Sequence, residues 1–308
     1  MRSIQNQNYD NIEIILIDDY SEDNTIKVIE NYQKDDKRII LIRHKNNKGT
    51  LISRNEGILI SKGNYIIIPD IDDILSKNIL NQCFIQAEIN NYDMIRFNMY
   101  LDNKNIFMYS KIKNKINKAI YQPTLSSFIF YGTNHLEIID PMISNKFIKR
   151  NILIKSLNSI DNFYLSQNMI FYEDTLINFM LYKVSQSCYY SKNIGYLYIS
   201  NPNSSTKRFI GNEIYVNKLL ISFFLFLKYI FNNTKNTKYE KSMVEAVLEK
   251  EFKVILNSNY YNKINNNYQF YIDILNLYLE NKYIKLSIKN RLIIIKKIIE
   301  KNYFKNSS

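Results

Sequence analysis

Apolar positions in the first third of the chain fall in short continuous runs separated by stretches of helical spacing. Ile12-Glu13-Ile14-Ile15-Leu16-Ile17 is a β-branched run that ends in Asp18-Asp19, and Ser21 to Lys34 follows with Ile26, Ile29 and Tyr32 on one side of a helix. Ile39 to Arg43 is a second strand and Thr50 to Ser61 a second helix. Tyr65-Ile66-Ile67-Ile68 is a third strand, running into Pro69-Asp70-Ile71-Asp72-Asp73, with a helix from about Ser76 to Asn91 and a strand near Asp93 to Asn98. Strands this apolar, alternating with helices, predict an α/β architecture: a mostly parallel sheet with helices on both faces. In such sheets ligands bind beyond the carboxyl ends of the strands. Further on, Tyr172 to Val184 has Leu176, Ile177, Met180 and Val184 at helical spacing, which places Glu173 and Asp174 in a first turn. Past Phe209 the pattern becomes helical throughout, over 211–231, 240–257, 268–280 and 286–303, joined by Asn- and Lys-rich connectors.

The 308 residues, 46% hydrophobic and 23% charged, exclude disorder or a coiled coil as a description of the whole chain. A formal charge of +12 suits an anionic partner, but the basic residues are scattered and form no domain-sized stripe, so nucleic acid is not the expected partner. Cys83 and Cys188 lie far apart without a CxxC, which leaves neither a disulfide framework nor a cysteine-rich zinc site and reads them as core thiols. Met1 to Gln7 lacks the apolar stretch of a signal peptide, and no window approaches the ~18 uninterrupted apolar residues of a spanning helix. The nearest, Leu219 to Leu227, is bounded by Lys218 and Lys228. These features predict a cytoplasmic protein. Lys285 to Lys305 sets Leu292, Ile295, Ile298 and Ile299 against a row of lysines, which suits either peripheral contact with an anionic membrane or packing on the domain with solvated lysines, the favoured reading of the two. No Gly-x-x-x-x-Gly-Lys-[Ser/Thr] and no Gly-x-Gly-x-x-Gly occurs, which argues against a P-loop kinase or a dinucleotide oxidoreductase. With 26 Tyr and no Trp, any aromatic stacking on a ligand falls to Tyr or Phe. His44 and His135, each alone in a polar loop, read as surface or capping residues and receive no role.

Two of the three early strands end in carboxylates. Either cluster alone could consist of helix caps and turn formers. Together, at the rim where a phosphorylated ligand should sit, they would repel it unless a divalent cation bridges them, and hard oxygen ligands suit Mg²⁺ or Mn²⁺.

Residues Ser3 to Thr25, including Asp18-Asp19-Tyr20-Ser21, then Asn47-Lys48-Gly49, Ser53-Arg54-Asn55-Glu56-Gly57, Lys62-Gly63-Asn64-Tyr65, the Asp-x-Asp-Asp at 70–73 and Phe171-Tyr172-Glu173-Asp174 resemble, in this order, the elements of glycosyltransferase family 2. Tyr196 to Thr206 resembles the loop near the end of that family's catalytic domain, and the likeness spans roughly residues 1–207. The resemblance implies a GT-A fold in residues 1–208, followed by a helical region over 209–308. It implies transfer of a sugar from a nucleotide-diphosphate donor, a UDP-sugar in the first instance, to a hydroxyl of a glycan, lipid or protein acceptor. By position in the motifs, Asp18 and Asp19 belong to the nucleotide site, with Asp18 accepting from the base; Arg54 and Asp70 contact the nucleotide as well. Asp70 and Asp72 form the Asp-x-Asp, with Asp72 the more direct ligand of Mn²⁺ or Mg²⁺, and Asp174 is the base of an inverting transfer. The dipole of its helix is expected to keep Asp174 ionised.

Some features depart from the family pattern. Tyr20 stands where Gly is common, a change that negative φ would accommodate. The loop at Tyr196 to Ser200 lacks an Arg, for which Lys207 or Arg208 would substitute. The family's opening apolar strand is missing, so strands 12–17 and 65–68 are expected to stand about 10 Å apart, twice the inter-strand spacing, without pairing directly. Two other readings remain at this level: a non-catalytic binding or scaffold relative, or an incomplete piece of one, and a nucleotidyltransferase, which would share the metal logic but not the Glu-Asp element.

Overall fold

The computed structural model describes residues 1–101, 118–121, 129–131, 137–139, 142–161, 169 and 172–199, with isolated positions between 222 and 297. By internal contacts the chain forms two units, one of residues 1–124 and 141–202, the other of residues 125–140 and 203–308.

The first unit opens with a single helical turn, α1 (Arg2–Gln5), then β1 (Ile14–Asp18), α2 (Thr25–Asp35), β2 (Ile39–Arg43) and α3 (Thr50–Ile60). Next come β3 (Tyr65–Ile66), β4 (Ile74–Leu75), α4 (Ile79–Asn90), β5 (Met94–Leu101) and β6 (Lys118–Tyr121). After a hairpin that belongs to the second unit, β7 (Ile129–Tyr131) and β8 (Glu137–Ile139), the chain returns with β9 (Lys146–Lys149), α5 (Arg150–Asn158), α6 (Glu173–Val184) and the long β10 (Ser187–Tyr198). The elements read from periodicity are present, with ends displaced by a few residues. The largest change is β3, which keeps two residues of the four-residue apolar run before the chain turns toward Asp70.

Pairing is mixed. β1 and β2, joined by the crossover helix α2, pair in parallel, as do β5 and β10. β3 with β9, β5 with β9, and β10 with β4 and β6 pair antiparallel. Parallel pairing therefore does not dominate as the apolar runs suggested: an apolar run reports burial on both faces, whereas strand direction is set by the connections. The order β3-β9-β5-β10-β4 makes the larger sheet, and β1-β2 is a separate two-stranded sheet. β1 and β3 do not pair with each other, as expected of them, and lie in different sheets.

The core beside the larger sheet is built from Leu75, Ile79, Leu80, Cys83, Ala87, Ile95, Phe97, Met99, Phe147 and Tyr196. Cys83 and Cys188 are buried free thiols. Gly195 is required on β10, because a Cβ there would lie 2.5 Å from both Ile79 and Phe97, so only glycine lets α4 approach the strand beside Tyr196. Tight packing of this kind tolerates no added methyl without displacement.

In the second unit, Ser222, Leu225, Phe226, Tyr229 and Ile230 are buried helical residues. They fall in the first of the C-terminal helical stretches. The stretch at 240–257, and most of those at 268–280 and 286–303, lie outside the described residues, as do His135, Phe171, Lys207 and Arg208. Among the described residues no helix is long and apolar enough to cross a membrane.

Candidate active site

Parallel pairing in register brings the ends of β1 and β2 to one rim. Asp18 lies opposite Arg43, and the next residues, Asp19 and His44, are carried side by side. The ladder continues one step further, with the His44 N–H donating to the Asp18 carbonyl at 2.9 Å. Asp18 is buried; its carboxylate accepts from the Ser21 N–H at 3.2 and 3.3 Å and lies 3.6 Å from the Arg43 guanidinium.

Asp19 closes a second set of contacts. One oxygen takes the His44 ring Nδ1 at 2.7 Å and the Lys48 N–H at 2.8 Å, and the other takes the Gly49 N–H at 2.8 Å. Gly49 starts α3 with φ of 92°, a left-handed conformation that suits glycine. His44, 3% exposed at its side chain, presents Nε2 to Glu56 of α3 at 2.7 Å, and Lys48 Nζ meets the other Glu56 oxygen at 2.7 Å. Burial works against a charge on the ring, but the hydrogen bonds from Asp19 and Glu56 prevail and raise its pKa above the ordinary value. Burial likewise raises the Asp19 pKa, and the bonds from His44, Lys48 and Gly49 more than reverse it. The reading of His44 as a surface or capping histidine is therefore corrected. A polar loop sequence does not reveal that in-register pairing will set the ring between two carboxylates.

Two residues before Glu56 on the same helix, Arg54 points into a different cluster. Its guanidinium donates to Asp174 and, at 3.2 Å each, to Glu173 and Asp70. It thus joins α3, the turn after β3 and the first turn of α6. The Arg54, Glu173 and Asp174 side chains are 12%, 13% and 23% exposed, and that of Asp70 is 39% exposed. Asp174 is pushed up to about 7, first by burial and then by Glu173 and Asp70, against the opposing pull of Arg54 and a smaller one from Lys146. Glu173 is raised for the same reasons. Burial among like charges thus outweighs the helix dipole, and the expectation that Asp174 is simply kept ionised is corrected.

The Asp-x-Asp-Asp turn is held from behind. The Asp70 N–H donates to the Tyr196 hydroxyl at 3.1 Å, and that hydroxyl donates to Asp73 at 2.5 Å. The other Asp73 oxygen accepts the Ile199 N–H at 2.8 Å. Asp72 projects from the turn as an exposed residue, while Asp73 is buried. Sequence reading assigned no part to Tyr196 or Asp73. Their contact spans 123 residues, so nothing local announces it.

Backbone strain accompanies both clusters. Tyr20, directly after Asp18-Asp19, has φ of 69°, and Tyr172, directly before Glu173-Asp174, has φ of 63°. The negative φ that would have made Tyr20 an easy replacement for Gly is not what the turn adopts. Strain of this kind collects where the surroundings impose a geometry on the chain.

Among the described residues no group of three or more His, Cys, Asp or Glu side chains is arranged to hold a metal ion by itself. Asp70 and Asp72, hard oxygen donors in one turn, fit a cation that completes its shell from phosphate oxygens and water, the usual manner of Mg²⁺ binding.

The mixed α/β domain that carries this turn has the GT-A glycosyltransferase fold. Residues 1–157 match the sequence profile of glycosyl transferase family 2, and the chain belongs to that family. It is 36% identical over 97 residues to the glycosyltransferase GlyG of Streptococcus pneumoniae, a match covering 32% of each chain. It is 26% identical over 205 residues to the glycosyltransferase EpsJ of Bacillus subtilis, covering 67% of this chain and 57% of that one. The matched stretches thus span from about a third to just over half of these relatives. In fold, the structure of S. aureus TarS residues 1–349 in complex with UDP-GlcNAc superimposes with a TM-score of 0.66 at 14% identity, covering 98% of this chain and 84% of that one.

Proposed function

We propose that this chain transfers a sugar from a nucleotide-diphosphate donor, in the first instance a UDP-sugar, to an acceptor hydroxyl, with inversion and with Asp174 as the base. The observation that carries the reading is the convergence of Asp70, Glu173 and Asp174 on Arg54 beside the exposed Asp72. The nucleotide sugar bound to TarS supports the choice of donor.

In this reading Asp18 and Arg54 face the nucleotide, Asp19 shapes the rim behind it, and Asp70 and Asp72 hold Mg²⁺ or Mn²⁺. The bound cation would neutralise the diphosphate and the charge that develops on its departing oxygen. Asp174, ionised, takes the proton of the acceptor hydroxyl. The freed electron pair forms the new bond to the anomeric carbon while that carbon's bond to the diphosphate oxygen breaks, its electrons leaving with UDP. Arg54 keeps Asp70 and Asp174 in fixed relation, so that the donor end and the acceptor end of the site share one anchor. The transfer domain occupies residues 1–208 and the helical region 209–308. A cytoplasmic location accords with this reading; the lysine-rich segment 285–305 is read in the first instance as a packed helix with solvated lysines, and peripheral contact with an anionic membrane is the second reading.

Calorimetry tests the reading. UDP should bind at least about tenfold more tightly with Mn²⁺ than in EDTA, and Asp72→Asn should abolish most of that difference, since an amide is a poorer ligand for a hard cation. Equal affinity with and without metal would overturn the metal-dependent assignment.

A further inference from the structure

His44 and its two carboxylates play no part in the proposed transfer chemistry, yet each ring nitrogen and each carboxylate oxygen of the group has a partner. Both ring nitrogens lie 2.7 Å from carboxylate oxygens, one on Asp19 beyond β1 and one on Glu56 of α3. A neutral imidazole has one N–H and one lone pair, so it can donate to only one of them, and its lone pair would face the other oxygen. An imidazolium donates to both. The carboxylates are engaged further, by the N–H groups of Lys48 and Gly49 on Asp19 and by Lys48 Nζ on Glu56. The group therefore balances two anions with two cations. The next charged residues on the packed strands, Asp18 and Arg43, face each other at 3.6 Å.

We propose that His44, in its doubly protonated form, is a positioning residue: it ties the Asp18-Asp19 rim of β1 to α3 and so keeps the nucleotide end of the site in register with Arg54. The inference rests on the donor reading above. The His44 ring touches both Asp19 and Glu56, and its backbone N–H is bonded to the Asp18 carbonyl, so the residue that carries the strut is also tied to Asp18. Loss of the second proton turns one of the two 2.7 Å contacts from attractive to repulsive, and the rim must part from α3 on that side. The same two hydrogen bonds raise the pKa of the ring, which favours its charged form. Donor affinity is therefore linked to the protonation of a residue that never touches the donor.

The chain has two histidines, so the ring of His44 can be followed by NMR and assigned as the signal lost in His44→Gln. The test pairs that titration with calorimetry of UDP and Mn²⁺ across the pH range, on wild type, His44→Gln and Glu56→Gln. Wild-type affinity should fall about tenfold as pH rises through the ring's measured pKa, the value of one lost charge-assisted contact. His44→Gln should bind about tenfold more weakly at low pH and lack the step, which separates it from protonation of UDP itself. Glu56→Gln should lower the ring's pKa and carry the affinity step with it, so the proposal does not depend on one variant folding. Affinity that stays flat through the ring's titration, or His44→Gln equal to wild type at low pH, overturns the positioning role and leaves the donor reading standing. Folded wild type that binds no UDP at any pH overturns the donor reading, and this proposal with it.

Discussion

Helix α3 carries two charged clusters two residues apart, and they are built on opposite principles. Around Glu56, two carboxylates meet two cations, His44 and Lys48, and every oxygen of Asp19 and Glu56 is engaged. Around Arg54, three carboxylates share a single guanidinium. The first is electrically closed, and its carboxylate pKa values are lowered. The second keeps an excess of negative charge, and its carboxylate pKa values are raised, that of Asp174 to about 7. A closed cluster holds a shape. A cluster left short of positive charge can accept a cation, or hold a carboxylate whose proton comes and goes near neutral pH.

Removing the one cation should break this contrast most severely. Arg54→Met leaves three carboxylates facing one another, and loss of one partner from a largely buried ion group costs about 3–5 kcal/mol. Without the guanidinium the carboxylates hold protons still more tightly when folded than when unfolded, so the deficit should grow as pH rises. Chemical denaturation of the variant at pH 5 and pH 8 checks it; equal loss at both values would show that packing, not charge, is Arg54's contribution.

Asp174→Asn sharpens the comparison from the catalytic side. Transfer should fall at least about a hundredfold, the usual worth of a positioned base, with UDP affinity nearly unchanged. Because the folded pKa of Asp174 is raised, wild-type turnover should climb with pH through about 7 as the base ionises and then level off. A variant that only melts earlier while keeping its rate would mark Asp174 as a helix-start residue instead.

The smallest effect is expected at Tyr196, which supports the negative cluster without adding charge to it. Tyr196→Phe removes the acceptor of the Asp70 N–H and the donor to Asp73, costing about 1–3 kcal/mol through unsatisfied polar groups and weakening metal-dependent UDP binding in proportion. Thermal melts together with calorimetry separate the two consequences; unchanged metal dependence would restrict Tyr196 to stability.

The His44 cluster should lose stability in the same direction of pH, but its readout is donor binding and not turnover. Its folded pKa is raised, so its contribution to stability is complete below the unfolded value and fades as pH rises through the folded one. On the proposed roles, one titration should tell the two halves of α3 apart: as pH rises, donor binding weakens through the Glu56 side, while turnover increases through ionisation of Asp174 on the Arg54 side.

Much of this was legible in the residues, and the limits are particular. The β1, α3, α4 and α6 elements follow from apolar period and from Asp, Asn or Gly at their borders. The candidate roles of Asp18, Asp70, Asp72 and Asp174 follow from the resemblance of their motifs, taken in order, to those of the family. The sign of Asp174's pKa shift was not legible, since a helix start seen alone argues for ionisation and only burial beside Glu173 and Asp70 reverses it. His44 was passed over for the same reason: its neighbours in sequence are polar, and its partners are 25 and 12 residues away.

What the sequence determined by itself is local: which stretches are strands or helices, where carboxylates cluster, and which family's motifs they follow. These depend on side-chain period and on the backbone preferences of single residues. The tertiary structure decided which charges meet. In-register pairing of β1 with β2 set Asp19 against His44, and α3, by turning Glu56 and Arg54 in different directions, divided the charged residues into one balanced cluster and one short of a cation. Coulomb energy and desolvation depend on distance and burial in space, which no spacing along the chain records.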